Sequence, residues 1–377
     1  MGAAGDGIRI VPVESADARE AFVRLPWRIY RGDPVWVPRL MADVRTMLDT
    51  DEHPFHLHSD VRLLLALRDG RPVGRIAAIH NTRHVEHHDE PAGFFGFFET
   101  ERDPAVAGAL LDAAADWLRG RGLETIRGPA SFSTNEEAGL LVEGFGRPPA
   151  IMMPYNPPWY GDLLEGAGFR KARDLVAYWL DDNEPPEFLL RAEKLVRRRY
   201  PDLTIRALRM DDWEREVERI RGLYNDAWQD NWGFVPMTDA EFHHLAADLK
   251  PVVEPELALI VEDADGEPVG FALSLPELNQ AIRHANGRLF PFGLLKILWH
   301  ARSIDVARVI TLGLVEEYRG KGIDALLYLE TFRRGAAMGI TAGEFGWVLE
   351  DNEPMRRPLE RLGAEVHKRY RLYDRDL

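Results

Sequence analysis

The stretch that decides the fold runs from Val309 to Met338 and reads V-I-T-L-G-L-V-E-E-Y-R-G-K-G-I-D-A-L-L-Y-L-E-T-F-R-R-G-A-A-M. Its first seven residues are almost wholly apolar, as in a central strand that is buried on both faces. Ile323, Leu326 and Leu327 then follow helical spacing. The glycines of Arg319-Gly320-Lys321-Gly322 lie between the apolar run and the residues with helical spacing, so the sequence predicts a strand, a tight turn and a helix. Exposed backbone N–H groups at such a helix N-terminus favour an anion, and especially a phosphate.

This turn is neither a P-loop nor a Rossmann fingerprint, because both glycine spacings are missing. It resembles the acetyl-CoA pyrophosphate loop of the GNAT (Gcn5-related N-acyltransferase) superfamily, [QR]-x-x-G-x-[GA]. Arg319 and Gly322 match that pattern, whereas Asp324 stands where the family has Gly or Ala. Asn352 is in register with the Asn of a later GNAT segment, in which Leu359 replaces the usual Tyr. The resemblance implies a CoA-binding set made of Leu314, Val315, Arg319, Gly320, Lys321, Gly322, Ile323, Asp324 and Asn352.

A hairpin pattern occurs twice in the chain. Asp69-Gly70, followed by Pro72-Val73-Gly74, is repeated 196 residues later by Asp265-Gly266 and Pro268-Val269-Gly270. In both copies apolar runs flank an Asp-Gly turn, which favours positive φ. We therefore expect two tandem copies of one unit, each an α/β domain with a mixed sheet.

The two copies differ where the chemistry is expected. Where the second copy has its glycine turn, the first has Asp103-Pro104, which suits a helix cap, and Glu99 and Glu101 would oppose a phosphate. The sequence thus predicts a degenerate GNAT-like domain at residues 1–182 and an acyl-CoA-binding GNAT domain at residues 183–377. The polar, proline-bearing break from Leu180 to Pro186 marks the join.

Composition narrows the possible functions. The formal net charge of −15 opposes non-specific nucleic-acid binding. There is no cysteine, so an acyl group would pass directly to its acceptor or through another nucleophile. The N-terminus lacks a signal core, no apolar run approaches the ~20 residues of a membrane span, and a cytoplasmic location is the default. The histidines follow no metal-ligand spacing, so no metal is expected.

The GNAT resemblance implies transfer of an acyl group from acyl-CoA to an amine, with a backbone N–H near Leu314 or Val315 stabilising the oxyanion. An amine of pKa ~10 must first lose a proton. The candidate bases are the acidic residues that follow the two central strands or lie within the second: Glu316, Glu317, Glu344, Glu350 and Asp351. With Leu359 at the Tyr position, Tyr318, Tyr328 and Tyr370 remain as candidate general acids.

The whole chain also resembles a bacterial group of tandem GNAT-like proteins that includes proposed ceramide synthases. That likeness implies a long-chain acyl donor and a sphingoid-type lipid amine as acceptor. The apolar segment Leu289–Trp299 is then either a helix buried between domains or a surface that accepts an acyl chain or contacts the inner membrane. The alternative function is a non-catalytic acyl-CoA-binding or regulatory protein, which Asp324 and Leu359 favour.

Overall fold

A computed structural model gives the fold and describes residues 7–182, 184–228 and 231–377. The strands in chain order are β1 Ile8–Pro12, β2 Ser59–Arg68, β3 Arg71–Asn81, β4 Ala92–Thr100, β5 Thr125–Gly128, β6 Ala130–Ser131, β7 Glu137–Ala138, β8 Leu140–Glu143, β9 Arg170–Leu180, β10 Thr204–Ala207, β11 Ala258–Glu262, β12 Pro268–Pro276, β13 Val306–Leu314, β14 Ala342–Leu349 and β15 Glu365–Asp376.

The helices are α1 Ala16–Arg24, α2 Pro26–Ile29, α3 Met41–Met47, α4 Thr82–His88, α5 Pro104–Arg119, α6 Tyr160–Gly166, α7 Glu187–Arg199, α8 Trp213–Trp228, α9 Asp239–Leu249, α10 Asn279–Ile282, α11 Gly293–His300, α12 Ile323–Ala337 and α13 Glu353–Arg361. Across the described ranges, none of these helices combines the length and the apolar character that crossing a membrane requires.

The chain forms two compact units. Unit 1 holds the described residues up to Leu175, together with Ala281–Trp299 and Lys368–Leu377. Unit 2 holds Val176–Gln280 and His300–His367. The chain first passes from unit 1 to unit 2 inside β9, and it returns to unit 1 for the last time inside β15. As a division of the sequence into domains, the boundary between residues 182 and 183 stays a prediction.

Unit 1 is built on the strand order β1-β2-β3-β4-β5. The first three pairings are antiparallel and the last, between β4 and β5, is parallel. The antiparallel hairpin turns at Asp69 and Gly70, both with positive φ, as the Asp-Gly pair predicts. Helix α5 packs Val106, Leu110 and Ala114 into the core beside the sheet, and none of these three is exposed to solvent.

Unit 2 repeats that order as β10-β11-β12-β13-β14, again with three antiparallel pairings followed by a parallel one. Helix α12 packs Ile323, Leu326 and Leu327 against β11 and β12, as the helical spacing predicts. The predicted α/β fold with two tandem copies is therefore confirmed. The copies differ in length between the third and fourth strands, where residues 277–305 of the second replace residues 82–91 of the first.

Local signals set several helix ends. Ser15 caps α1, Asp103 caps α5 and precedes Pro104, and Thr238 forms a capping box with Glu241 at α9. A 3₁₀ turn at Met210–Asp212 leads directly into helix α8. Its described part ends at Trp228, and residues 229–230 lie outside the described ranges, as does residue 183 in the predicted join.

The alternative that makes Leu289–Trp299 a buried helix is wrong. Phe290, Leu295 and Trp299 are 81%, 63% and 70% exposed. Only part of the segment is helical, since α11 begins at Gly293. Apolarity alone could not distinguish the two alternatives, because a buried helix and an exposed apolar surface share the same composition.

Candidate active site in unit 2

The glycine turn leads from β13 into α12. Gly320 and Gly322 have φ values of 68° and 80°, a left-handed conformation that side-chain-bearing residues rarely adopt. Gly322 occupies the N-cap position of α12 and has no side chain with which to cap it. The first turn of the helix therefore presents its N–H groups without a capping side chain, and these groups and the helix dipole attract an anion.

The strand before this turn separates from its neighbour. β13 and β14 pair in parallel from Val306 to Val309 on one side and from Ala342 to Phe345 on the other, within a stretch that the structure describes throughout. Beyond Val309 the pairing stops. The antiparallel partner strand, β12, shifts register opposite Ile310, which is the position of a β-bulge. The bulge bends β13 and opens a gap between the two strands.

A cavity of about 140 Å³ occupies this gap. Its walls come from both strands, from α12 and α13 and from two residues outside these elements: Asn231, Val309, Ile310, Thr311, Leu312, Tyr328, Phe345, Gly346, Trp347, Val348, Leu349, Asn352, Met355 and Leu359. Asn352 also caps α13, because its side chain accepts a hydrogen bond from the Met355 N–H. Asn352, one of the residues predicted to bind CoA, thus lines the gap cavity.

The backbone of β13 offers donors to the gap. The Val315 N–H donates to the Val269 carbonyl at 3.0 Å, so it is engaged with β12. In an antiparallel ladder alternate residues direct their N–H groups to opposite sides. Leu312 and Leu314 therefore direct theirs toward β14. Arg319 Nε donates to the Leu314 carbonyl at 3.0 Å and ties the turn to the strand end.

A second, larger cavity of about 540 Å³ lies beside the N-terminus of α12. It is lined by parts of α7, α12 and α13: Phe188, Leu189, Arg191, Ala192, Leu195, Gly322, Asp324, Ala325, Tyr328, Arg357, Pro358, Arg361 and Leu362. Three arginines and one carboxylate thus surround the end of the glycine turn. Arg191 and Arg357 also pair with Glu187 and Glu353 of their own helices at 3.3 and 2.9 Å, and guanidinium groups of this kind suit a ligand with several phosphates.

These arginines were not among the predicted site residues. Arg357 and Arg361 are four residues apart on α13, and that spacing could have identified them. Arg191 lies on α7, which precedes the repeat, and no sequence signal indicated it. Arg357 Nε lies 2.9 Å from Glu353, and the Arg361 guanidinium lies 4.2 Å from the centre of the Phe188 ring.

The predicted bases differ in their surroundings. Glu316 and Glu317 are exposed on a 3₁₀ turn, and Glu350 is half-buried after β14. Glu344 is only 2% exposed, and one of its carboxylate oxygens lies 3.1 Å from Nε2 of His367. His367 is a partner that the sequence did not indicate, because it lies on a strand 23 residues further along the chain.

Glu344 also lies close to the gap. It is two residues from Gly346, a lining residue of the gap cavity, and a Cβ at Gly346 would lie 3.8 Å from Glu344 Oε1. Its register partner across the parallel ladder is Arg308, which is 4% exposed and donates to the Gly346 carbonyl at 2.9 Å. Glu344 and His367 thus form a close carboxylate–imidazole pair beside the gap.

Of the three candidate general acids, Tyr328 is the one that lines the gap cavity. It lines both the gap cavity and the larger cavity. Burial raises the pKa of its hydroxyl, with a smaller contribution from Asp324, and keeps it protonated. Leu359 is 1% exposed in the same core. Tyr318 lies instead beside Lys321 on the turn, and Tyr370 belongs to unit 1.

The equivalent place in unit 1 is closed by its own side chains. Asp103 accepts hydrogen bonds from the Ala105 and Val106 N–H groups, so it occupies the N-terminus of α5. Glu99, at the end of β4, accepts hydrogen bonds from the Tyr30 and Tyr160 hydroxyls at 2.9 and 2.8 Å. Carboxylates therefore fill the region where unit 2 presents its glycine turn.

Comparison with known proteins identifies relatives of the whole chain. No protein-family model matches the sequence. Protein YghO of Escherichia coli (strain K12) is 38% identical over 364 residues, which cover 95% of this chain and 93% of that protein. The bacterial ceramide synthase of Caulobacter vibrioides (strain NA1000 / CB15N) is 36% identical over 379 residues, which cover 98% of each.

Among solved structures, a tandem GNAT protein from the clavulanic acid biosynthesis pathway superposes with a TM-score of 0.58, covering 98% of both chains at 13% identity. That likeness shows a shared fold, with two GNAT units in one chain. Because two proteins with more than a third of their residues identical to it match almost its whole length, the chain belongs to the family of YghO and the bacterial ceramide synthase, and its fold is that of a tandem GNAT protein.

Proposed function

We propose that unit 2 is an acyl-CoA-dependent N-acyltransferase that passes the acyl group directly from the CoA thioester to an amine. The observation that carries this proposal is the gap between β13 and β14, which leads onto the uncapped N-terminus of α12. A thioester in the gap and a pyrophosphate at the glycine turn would place one extended ligand along both cavities. The chemistry that this ligand supplies is an activated acyl group with a thiolate leaving group.

The residues that would hold the nucleotide end are those of the turn and its cationic surroundings. The N–H groups of Ile323 and Asp324 lie at the positive end of the helix dipole. The arginines of the larger cavity would pair with further phosphates, and the apolar side chains between them would cover the methylene chain. Asp324 at the first turn opposes a phosphate and is expected to weaken binding rather than abolish it.

We assign the proton transfers to buried groups. Glu344, supported by His367, accepts the proton of the amine, and the nitrogen then attacks the carbonyl carbon. The N–H groups of Leu312 and Leu314 stabilise the oxyanion. As the C–N bond forms and the C–S bond breaks, Tyr328 donates its proton to the departing thiolate. The amide nitrogen loses its second proton to the tyrosinate, which restores Tyr328, and Glu344 releases the first proton of the amine to bulk water.

We further propose that the acyl donor is long-chain and that the acceptor is a lipid amine of the sphingoid type. The name of the Caulobacter relative, at 36% identity over nearly the whole chain, supports this assignment. The gap cavity agrees with it, because most of its lining residues are apolar. Such a protein would work in the cytoplasm, at the surface of the membrane that contains its acceptor.

The alternative is a non-catalytic acyl-CoA-binding protein on the same scaffold. Leu359 favours it, because this residue lacks a hydroxyl where GNAT proteins usually have Tyr and is buried at 1% exposure. Both functions require that acyl-CoA binds in unit 2. Only the catalytic one requires Glu344 and Tyr328.

The test is product formation with the purified chain. Palmitoyl-CoA or acetyl-CoA would be incubated with a long-chain amino alcohol or with a short soluble amine, and N-acyl product would be measured by mass spectrometry with thiol release as a second readout. The proposal predicts an amide from palmitoyl-CoA and the long-chain amine. Saturable binding of palmitoyl-CoA with no amide from any acceptor would support the alternative.

A further inference from the structure

The segment Leu289–Trp299 forms an apolar surface on unit 1. Large apolar side chains are exposed at ten described positions, and six of these lie within this one segment: Phe290, Phe292, Leu294, Leu295, Leu298 and Trp299. A contiguous exposed group of this kind marks an interaction surface, whereas scattered single residues do not.

The exposed residues of α11 lie on one side of the helix. Leu294 and Leu298 are four residues apart, as are Leu295 and Trp299, so all four share an outward face. Gly293 and Ile297, also four apart, lie on the inner side, where Gly293 is buried and Ile297 half-buried. Lys296 is exposed and flanks the apolar face.

The base of this surface is firmly held within unit 1. Trp27 Nε1 donates to the Asn286 side chain at 3.0 Å, and the Met41 N–H donates to the Gly287 carbonyl at 2.9 Å. A Cβ at Gly293 would lie only 1.6 Å from the Arg288 carbonyl oxygen, so the chain packs tightly there. The apolar side chains are therefore presented by an ordered support.

The charged residues around this apolar surface indicate what it binds. From Leu278 to Ile304 the sequence contains no Asp or Glu, although the whole chain has a formal charge of −15. Within unit 1 this stretch contains three Lys and Arg residues: Arg283, Arg288 and Lys296. Exposed leucines and aromatic rings with flanking cations match an anionic bilayer, where apolar groups enter the acyl region and cations meet lipid phosphates. Aromatic side chains are also favoured at that interface.

We infer that Leu289–Trp299 docks unit 1 onto the surface of an anionic lipid bilayer. The apolar face of α11, together with Phe290 and Phe292, enters the headgroup and upper acyl region without spanning the membrane. Arg288 and Lys296 bind the anionic headgroups. This surface is independent of the catalytic proposal, because none of its residues lines either cavity of unit 2.

The experiment is flotation of the full chain with vesicles. Vesicles of pure phosphatidylcholine and vesicles of equal parts phosphatidylcholine and phosphatidylglycerol would be compared at 0.1 M and 1 M salt. The inference predicts binding to the anionic vesicles that weakens at 1 M salt and on pure phosphatidylcholine. The double variant Leu295→Asn/Leu298→Asn should bind about tenfold more weakly or worse, and Lys296→Glu should reduce the preference for anionic vesicles.

Leu57→Asn is the matched control, because Leu57 is 77% exposed on unit 1 outside this segment, and it should bind as the original chain does. Circular dichroism would establish that all variants are folded, which the exposure of the substituted side chains favours. Absence of vesicle binding by the original chain, or undiminished binding by the double variant, would overturn the inference. A dimer in solution that the double variant dissociates would assign the surface to a second copy instead.

Discussion

Ionisation of Glu99 should make unit 1 less stable as pH rises, whereas ionisation of most carboxylates makes a protein more stable. Its side chain is 12% exposed and lies 3.7 Å from Arg75. Burial raises its pKa from 4.5 to about 7, against the lowering effects of Arg75 and of the Tyr160 and Tyr30 hydroxyls. At pH values between 4.5 and about 7, Glu99 has lost its proton in the unfolded chain but retains it in the folded chain. Stability therefore falls as pH rises through this window and levels off above pH 7.

The size of the effect follows from the two pKa values. The full difference corresponds to about 3 kcal/mol, of which about 2.5 kcal/mol falls between pH 5 and pH 8. Glu99→Gln keeps an acceptor for both tyrosine hydroxyls but cannot ionise. The fall in stability that Glu99 causes between pH 5 and pH 8 should therefore be absent in this variant. Urea unfolding of both proteins at pH 5 and pH 8, followed by tryptophan fluorescence, measures it.

The control is Glu101→Gln, whose partner is Arg28 at 2.7 Å and whose side chain is 43% exposed. This variant should show the same pH dependence as the original chain. The reasoning would be refuted if the original chain and Glu99→Gln lost equal stability between pH 5 and pH 8, because Glu99 would then ionise as readily in the folded state as in the unfolded one.

Three further predictions concern unit 2. Glu344→Gln should lower kcat in the thiol-release assay about 100-fold or more, with little change in the Kd of acyl-CoA. If Glu316→Gln lowered kcat equally in the same assay, the proton acceptor would instead be Glu316 on the exposed turn. Tyr328→Phe should lower kcat about tenfold or more at unchanged Kd, whereas an unchanged kcat would show that the thiolate leaves without this acid. Gly322→Ala and Gly320→Ala should each cost about 1 kcal/mol from the left-handed conformation. Gly322→Ala should have the lower Tm in calorimetry, because its Cβ would meet Val196 at 3.2 Å whereas Gly320 has no neighbour within 4 Å; equal Tm values would contradict this reading.

The sequence predicted those parts of the fold that depend on local patterns. The Asp-Gly turns, the Asp103 cap and the helical spacing after Gly322 each act over a few residues, and each appears where it was expected. The repeat of these signals indicated the two copies. The segment Leu289–Trp299 could not be assigned in this way, since its exposure depends on what the rest of the chain leaves uncovered.

Sequence patterns predicted only the part of the candidate site that lies in the glycine turn and directly after the next strand. Arg319 and Gly322 were identified from their spacing, and Asn352 from its place after the next strand. The bulge opposite Ile310 depends on strand pairing. The neighbours of Glu344 and the place of Tyr328 beside two cavities depend on packing between distant segments. None of these features has a signature in a local stretch of sequence.

Calorimetric titration would show whether unit 2 binds acyl-CoA in its gap and along the glycine turn. Acetyl-CoA and then palmitoyl-CoA would be titrated into the purified chain, with free CoA as competitor. We expect saturable binding of both thioesters at one site per chain, displacement by CoA, and tighter binding of palmitoyl-CoA. If neither thioester bound, the glycine turn would not be a CoA site and the proposed function would be wrong.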